Sequence, residues 1–197
     1  MTGPDDRRRA KGAETIQRLL DATASLLSSS GASGVSVQRV ADAAGTSKGL
    51  VHYHFPDKEA LLAACAGHLT SVIVATEAAV LERSTATSAL DDLWRGFMAT
   101  VRGGARRALM SLHTDATPAT RAVLIASALR RRRAAEDMIA SLETLLSFRS
   151  GVPRPALATA YVALADGLAL DLFVRPTVDN RPAFDAFWLA VLTLDAG

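Results

Sequence analysis

Apolar residues recur along this chain with the three- and four-residue spacing of amphipathic helices, and no stretch suggests a strand architecture. Ile16, Leu19, Leu20, Ala24 (or Thr23) and Leu27 form one stripe and predict a helix from about Ala13 to Ser29, ended by Gly31 and Gly34. Val37, Val40, Ala41 and Ala44 form a second stripe, and Leu50, Val51, His54 and Phe55 a third, both on short segments. Pro56-Asp57 then breaks the pattern, because a proline disfavours helix at the residue before it and Asp57 is a good N-cap. A long helix follows from Lys58 to about Glu82, carrying Leu61, Leu62, Cys65, Leu69, Val72, Ile73 and Val80. Further helices are expected at Leu90 to Val101, Ala105 to His113, Pro118 to about Phe148, Pro155 to Phe173 and Ala183 to Leu194. The breaks between them are Ser84 to Ser88, Gly103-Gly104, Asp115 to Pro118, Gly151 to Pro155 and Pro176 to Pro182. The fold class is all-α.

The two short helices are joined by Gly45-Thr46-Ser47. Gly45 lies where a helix must stop and the backbone needs φ > 0, a conformation nearly free for glycine and costly for a residue with a Cβ. Ser36 is placed to cap the first short helix and Ser47 the second. Two short helices held at an angle by a glycine-containing turn form a helix-turn-helix, whose second helix enters the major groove of DNA.

The run Ser36 through Ala41, Ala44-Gly45, Ser47, Gly49, Phe55, Lys58-Glu59 and Leu61 resembles the DNA-binding domain of the TetR family of bacterial transcriptional regulators. The match covers about residues 12 to 65. It departs from the family pattern at Thr46, where an aliphatic residue is common, and at His52, where a tyrosine is usual. The resemblance implies a flexible basic arm over 1–12, a DNA-binding domain over 13–60 and an effector-binding and dimerisation domain over 61–197. Carried onto this sequence, the groove-facing positions are Lys48, Gly49, Leu50, His52 and Tyr53. Ser36, Gln38, Thr46, Ser47, His54 and Lys58 complete the DNA-contacting set, with Lys58 and the start of the recognition helix suited to phosphate.

Composition narrows the picture further. The net charge of +2 is too small for a general polyanion binder, but residues 7 to 55 hold seven Arg or Lys against three acids. Arg7-Arg8-Arg9 is either a solvated tail or a backbone-following arm. One cysteine, Cys65, excludes an internal disulfide and fits a reducing compartment; it reads as a small apolar filler or, as the lesser option, a redox sensor. The N-terminus lacks the apolar segment of a signal peptide, and no run reaches the roughly 18 uninterrupted apolar residues of a membrane span, so a cytoplasmic protein is expected. Arg130 to Arg133 sweep most of the way round a helix, so at least one stem must cover apolar surface or pair with Glu136 or Asp137; an anionic effector is the minority reading of that run.

The segment 155–173 is apolar nearly all round, with Leu157, Tyr161, Leu164, Leu168 and Leu172 on one face and small Ala156, Ala160, Ala163 and Gly167 in a stripe. The segment 183–194 carries Phe184, Phe187, Trp188, Val191 and Leu192. Such helices need cover on two sides, which is met by a symmetric dimer through helices 155–173 and 183–194 or by a wholly internal core. The effector cavity that the family implies would be lined by Trp94, Phe97, Met98, Val101 and Met110, with His113, Met138, Leu142 and Tyr161 completing it; the alternative for each is plain core. His113 reads first as a helix C-terminal cap. No metal or cofactor is expected: His52 and His54, two apart on a helix, diverge by about 200°. No nucleophile with a base, and no carboxylate pair on one face, supports an enzyme.

The expectation is a homodimer that binds a palindromic operator in double-stranded DNA and is released by a small-molecule effector, acting as a repressor. The alternatives are an activator or effector-dependent DNA binder of the same fold, or else a small helical enzyme or adaptor.

Overall fold

The computed structural model describes residues 4–114 and 116–194. The regular elements among them are nine helices: α1 (Pro4–Ser30), α2 (Val37–Ala43), α3 (Lys48–His54), α4 (Lys58–Leu81), α5 (Ala89–Arg102), α6 (Ala105–Thr114), α7 (Pro118–Leu145), α8 (Arg154–Val174) and α9 (Arg181–Thr193). Every expected helix is present with ends displaced by a few residues at most, except that α1 starts at Pro4 where an arm was expected to residue 12. Asp6 suits the positive end of the helix, and the Arg, Ala and Lys that follow are good helix formers. Residues 1–3 of that arm, and Asp115 of the break before α7, lie outside the described residues.

Contacts divide the chain into two compact units. The first comprises the described residues up to Leu69 together with Ala108–Ile125, and the second Thr70–Arg107 together with those from Ala126 onward. Helix α4 therefore passes from the first unit to the second after Leu69, and α7 does so after Ile125.

In the first unit, Leu19, Leu27, Val35, Val40, Ala41, Val51 and Leu61 are buried, and Cys65 joins them with its Sγ 3.7 Å from the Leu20 carbonyl. Ile16, expected in the stripe of α1, is instead 37% exposed, while Thr23 is fully buried and returns its hydroxyl to the Leu19 carbonyl at 2.7 Å. Asp57 caps α4 by accepting from the Ala60 N–H at 2.7 Å. His68 of α4 sits 3.1 Å from the Asp21 carboxylate of α1.

The second unit is built on an aromatic core. Trp94 packs on Phe97 and Phe184, each at 5.3 Å between ring centroids, and Trp188 packs on Tyr161 at 5.6 Å and Phe187 at 5.2 Å. Phe184 and Trp188 are each 1% exposed, so these two, counted among the apolar excess of a dimer face, belong to the core of their own unit. Beside the rings lies a buried charge network. The Arg106 guanidinium, 2% exposed, donates to Glu77, to Thr100 Oγ1 at 2.8 Å and to Asp166 at 3.4 Å, and stacks over Phe97. Arg131 closes the network with two bonds to Asp166, at 2.5 and 3.0 Å, and Arg130 donates to Ser71 at 2.7 Å. The basic run thus pairs through Asp166 of α8, and among the described residues no ion pair joins it to Glu136 or Asp137 of its own helix. By length and composition α4 and α8 would each suffice to cross a membrane, but α8 is interrupted by Asp166 and Asp171 and sets Leu157, Tyr161, Leu168 and Leu172 into the unit core.

Candidate nucleic-acid interface

The turn between α2 and α3 is held by its own backbone. Gly45 has φ +62°, its N–H bonds the Asp42 carbonyl at 3.2 Å, and the Thr46 N–H bonds the Ala41 carbonyl at 2.9 Å, the paired bonds of a Schellman motif closing α2. Both serine caps form: Ser36 Oγ accepts from Arg39 N–H, and Ser47 Oγ from Leu50 N–H, each at 3.2 Å. Such caps contribute about 1 kcal/mol each, which matters for helices only seven residues long. Val40, Ala41, Val51 and Phe55 bury the inner sides of both helices against the unit core.

The opposite side of α3 is left to solvent. Lys48, Gly49 and His52 are exposed, and Tyr53 is 80% exposed, with its ring edge-on to His54 at 5.0 Å. An aromatic ring so exposed costs apolar hydration, and together with a lysine and a bare glycine it makes a surface suited to a partner. A Cβ at Gly49 would meet only Ser47 Oγ, at 3.8 Å, so nothing in the protein's own packing demands glycine there. Leu50, Thr46 and His54 are half-buried, Ser47 and Ser36 are exposed caps, and Gln38 is exposed and bonded to Asp42 at 2.7 Å. His52 Nδ1 lies 3.4 Å from the Pro56 carbonyl. Lys58, expected to reach a phosphate, donates instead to the Ala32 carbonyl at 3.0 Å and tethers the start of α4 to the loop after α1.

The nine residues expected to line an effector cavity are divided between the two units. Met110 and His113 belong to the first unit, where His113 Nδ1 lies 3.1 Å from the Leu109 carbonyl one turn back in its own helix. The other seven belong to the second. Trp94, Phe97 and Tyr161 are part of its aromatic core, Leu142 is fully buried, and Met98 and Val101 are half-buried. Met138 borders a cavity of about 290 Å³ whose other walls include Val74, Glu77 and Leu81. Reading the aromatic stripe of α5 missed those walls, because they come from the aliphatic second half of α4. A separate cavity of about 300 Å³ in the first unit lies among Ala32, Lys58, Leu62, Leu112 and Thr120. At its edge Thr117, ahead of α7, bonds Glu59 of α4.

Comparison with known proteins points the same way as the helix-turn-helix. Residues 19–65 match the family described as bacterial regulatory proteins, tetR family. A search of curated proteins found no match. Among solved structures, a protein from Rhodococcus sp. described as a TetR-family transcriptional regulator superimposes with a TM-score of 0.78 at 22% identity, over 91% of this chain and 99% of that one. A transcriptional regulator from Rhodococcus sp. Rha1 gives 0.74 at 21% identity over 92% and 98%. The transcriptional regulator FadR from Bacillus subtilis, in complex with stearoyl-CoA, gives 0.68 at 13% identity over 89% and 97%. At these identities the superpositions establish the fold, and the family match covers the N-terminal segment with its capped turn and exposed recognition helix. Residues 19–65 thus match the DNA-binding domain of the TetR family, and the chain as a whole has the fold of the TetR-family transcriptional regulator from Rhodococcus sp. on which it superimposes.

Proposed function

We propose that the chain is a cytoplasmic homodimeric repressor that holds a palindromic operator through two copies of α3 and releases it when a small molecule enters the second unit. The observation that carries the DNA half of this reading is the exposed face of Lys48, Gly49, His52 and Tyr53 on a helix locked by Gly45 and Ser47. Lys48 would supply charge to the backbone, and Tyr53 and His52 would reach base edges.

The dimer half is supported by α8. Ala156, Ala160, Ala163, Gly167, Leu170 and Val174 are all exposed and recur at alternating four- and three-residue steps, the spacing of a helix-packing seam. A Cβ built on Gly167 meets nothing, so the seam is open to a second helix. Exposed Ala186, Leu189 and Leu194 extend the apolar surface on α9, and a two-fold pairing of α8 and α9 would make a four-helix bundle. Communication between the halves is assigned to α4, one helix with residues in both units; a coupling of roughly 1 to 3 kcal/mol gives a 5- to 150-fold change in operator affinity. That a protein of the same fold was crystallised with stearoyl-CoA supports a small-molecule effector.

Selection of random duplex DNA on the purified protein tests the reading. An inverted repeat is expected, lost in Lys48→Ala and Tyr53→Ala and bound with a steep inverse dependence on salt. Gly167→Trp should yield monomers by light scattering. No enriched site, or an asymmetric half-site bound by monomeric wild type, contradicts the proposal.

A further inference from the structure

The cavity of about 290 Å³ in the second unit has a one-sided chemistry. Its apolar walls are Val74, Ala78 and Leu81 from α4 and Met138 from α7, and its charged groups are all acidic: Glu77, Glu82 and Asp137. The basic groups nearby are engaged or turned elsewhere. Arg106 is taken up by Glu77, Thr100 and Asp166, Arg131 by Asp166, and Arg133, one turn before Asp137, is exposed and forms none of the wall.

The three carboxylates are not equivalent. Glu77 is anchored from behind by Arg106, and the buried Tyr161 phenol lies next to it, outside the cavity wall. Burial and the Glu77 carboxylate hold that phenol neutral. Glu82 and Asp137 are exposed, and among the described residues neither is in an ion pair. A neutral ligand would cover these carboxylates without compensation, and an anion would be repelled by them; an apolar body bearing a positive charge satisfies both kinds of wall.

We infer that this cavity takes an organic cation, an apolar body seated on Leu81 and Met138 with a protonated nitrogen held by the acidic wall. The inference rests on the reading of the second unit as the effector domain and names the ligand class for it.

The test uses the full-length protein and three compounds with one apolar body and different heads: 4-phenylbutylamine, 4-phenylbutanol and 4-phenylbutyrate. The Met138 methyl resonance reports occupancy of the cavity. The amine is expected to shift it and to bind more tightly than the alcohol, with the carboxylate weakest. The Glu82→Gln/Asp137→Asn variant, altered only at exposed positions, should weaken the amine about five- to tenfold and leave the alcohol unchanged. A silent Met138 methyl, equal binding of amine and alcohol, or an unaffected double variant overturns the inference. Operator release is read in the same samples. An amine that fills the cavity without loosening DNA leaves the cation site standing and refutes the effector reading. Release by a neutral or anionic compound that leaves Met138 unmoved keeps the effector reading and refutes the cation site.

Discussion

Two glycines four residues apart, substituted by the same residue, should move stability in opposite directions. At Gly45 the backbone has φ +62° and a Cβ would find open space, so the cost of Gly45→Ala is backbone strain alone, about 1 to 2 kcal/mol. At Gly49 no positive φ is imposed and a Cβ would stand 3.8 Å from Ser47 Oγ, an ordinary contact. Gly49→Ala should therefore stabilise α3 by about 0.5 to 1 kcal/mol through the helix propensity of alanine. Denaturant unfolding of the two variants reads these signs directly. DNA affinity separates them a second way. If the backbone at Gly49 lies close to the duplex, the added methyl should weaken operator binding about tenfold in a protein that is more stable than the parent, a loss that unfolding cannot explain. Gly49→Ala with unchanged DNA affinity would refute the assignment of this face to the groove. Gly45→Ala as stable as the parent would refute the strained turn.

Arg106→Met should cost about 3 to 5 kcal/mol, because it leaves Glu77 and Asp166 without their buried partner, and Glu77→Gln added to it should recover part of the loss; additive losses in the thermal unfolding of the double variant would contradict a coupled network. The Cys65 thiol is pushed up to about 12 by burial and by the Asp21 carboxylate, so at pH 8 it should react with a thiol reagent only as fast as the protein opens, and rapid labelling of the native state would exclude the role of core filler. Asp92 is held below the ordinary carboxylate value by the Ser88 and Ser84 hydroxyls and then by Arg95, and Asp171 by Arg175 and Asn180. Because both folded values are depressed, their stabilisation is complete above the unfolded value of about 4 and is lost as the pH falls through the lowered ones; Asp92→Asn should flatten that acid limb, and an unchanged limb would argue against it.

What the sequence makes legible here follows from the range over which each signal acts. The helix-turn-helix could be read residue by residue because its determinants are local: Ser36 and Ser47 bond amides three residues away, and Gly45 supplies a conformation that its own position demands. Helix ends were legible for the same reason, and α1 was misread at its start because charge alone does not distinguish a solvated arm from a solvated helix. Side-chain partnership is a different matter. Four arginines in a row announce that some of them must pair, but Asp166 lies 35 residues from Arg131, and nothing along the chain prefers it to the nearby Glu136. Helix α9 shows the same limit. Its apolar excess does require cover on two sides, yet the pattern cannot say which side faces inward: Phe184 and Trp188 close the aromatic core, while Ala186, Leu189 and Leu194 are left outward. The effector residues were chosen on a related assumption, that aromatic and methionine side chains mark a cavity, and of these Met138 borders the cavity of about 290 Å³. Large rings fill space, as where Trp94 meets Phe97 and Phe184 and Tyr161 meets Trp188, whereas that cavity lies beside the smaller Val74, Ala78 and Leu81.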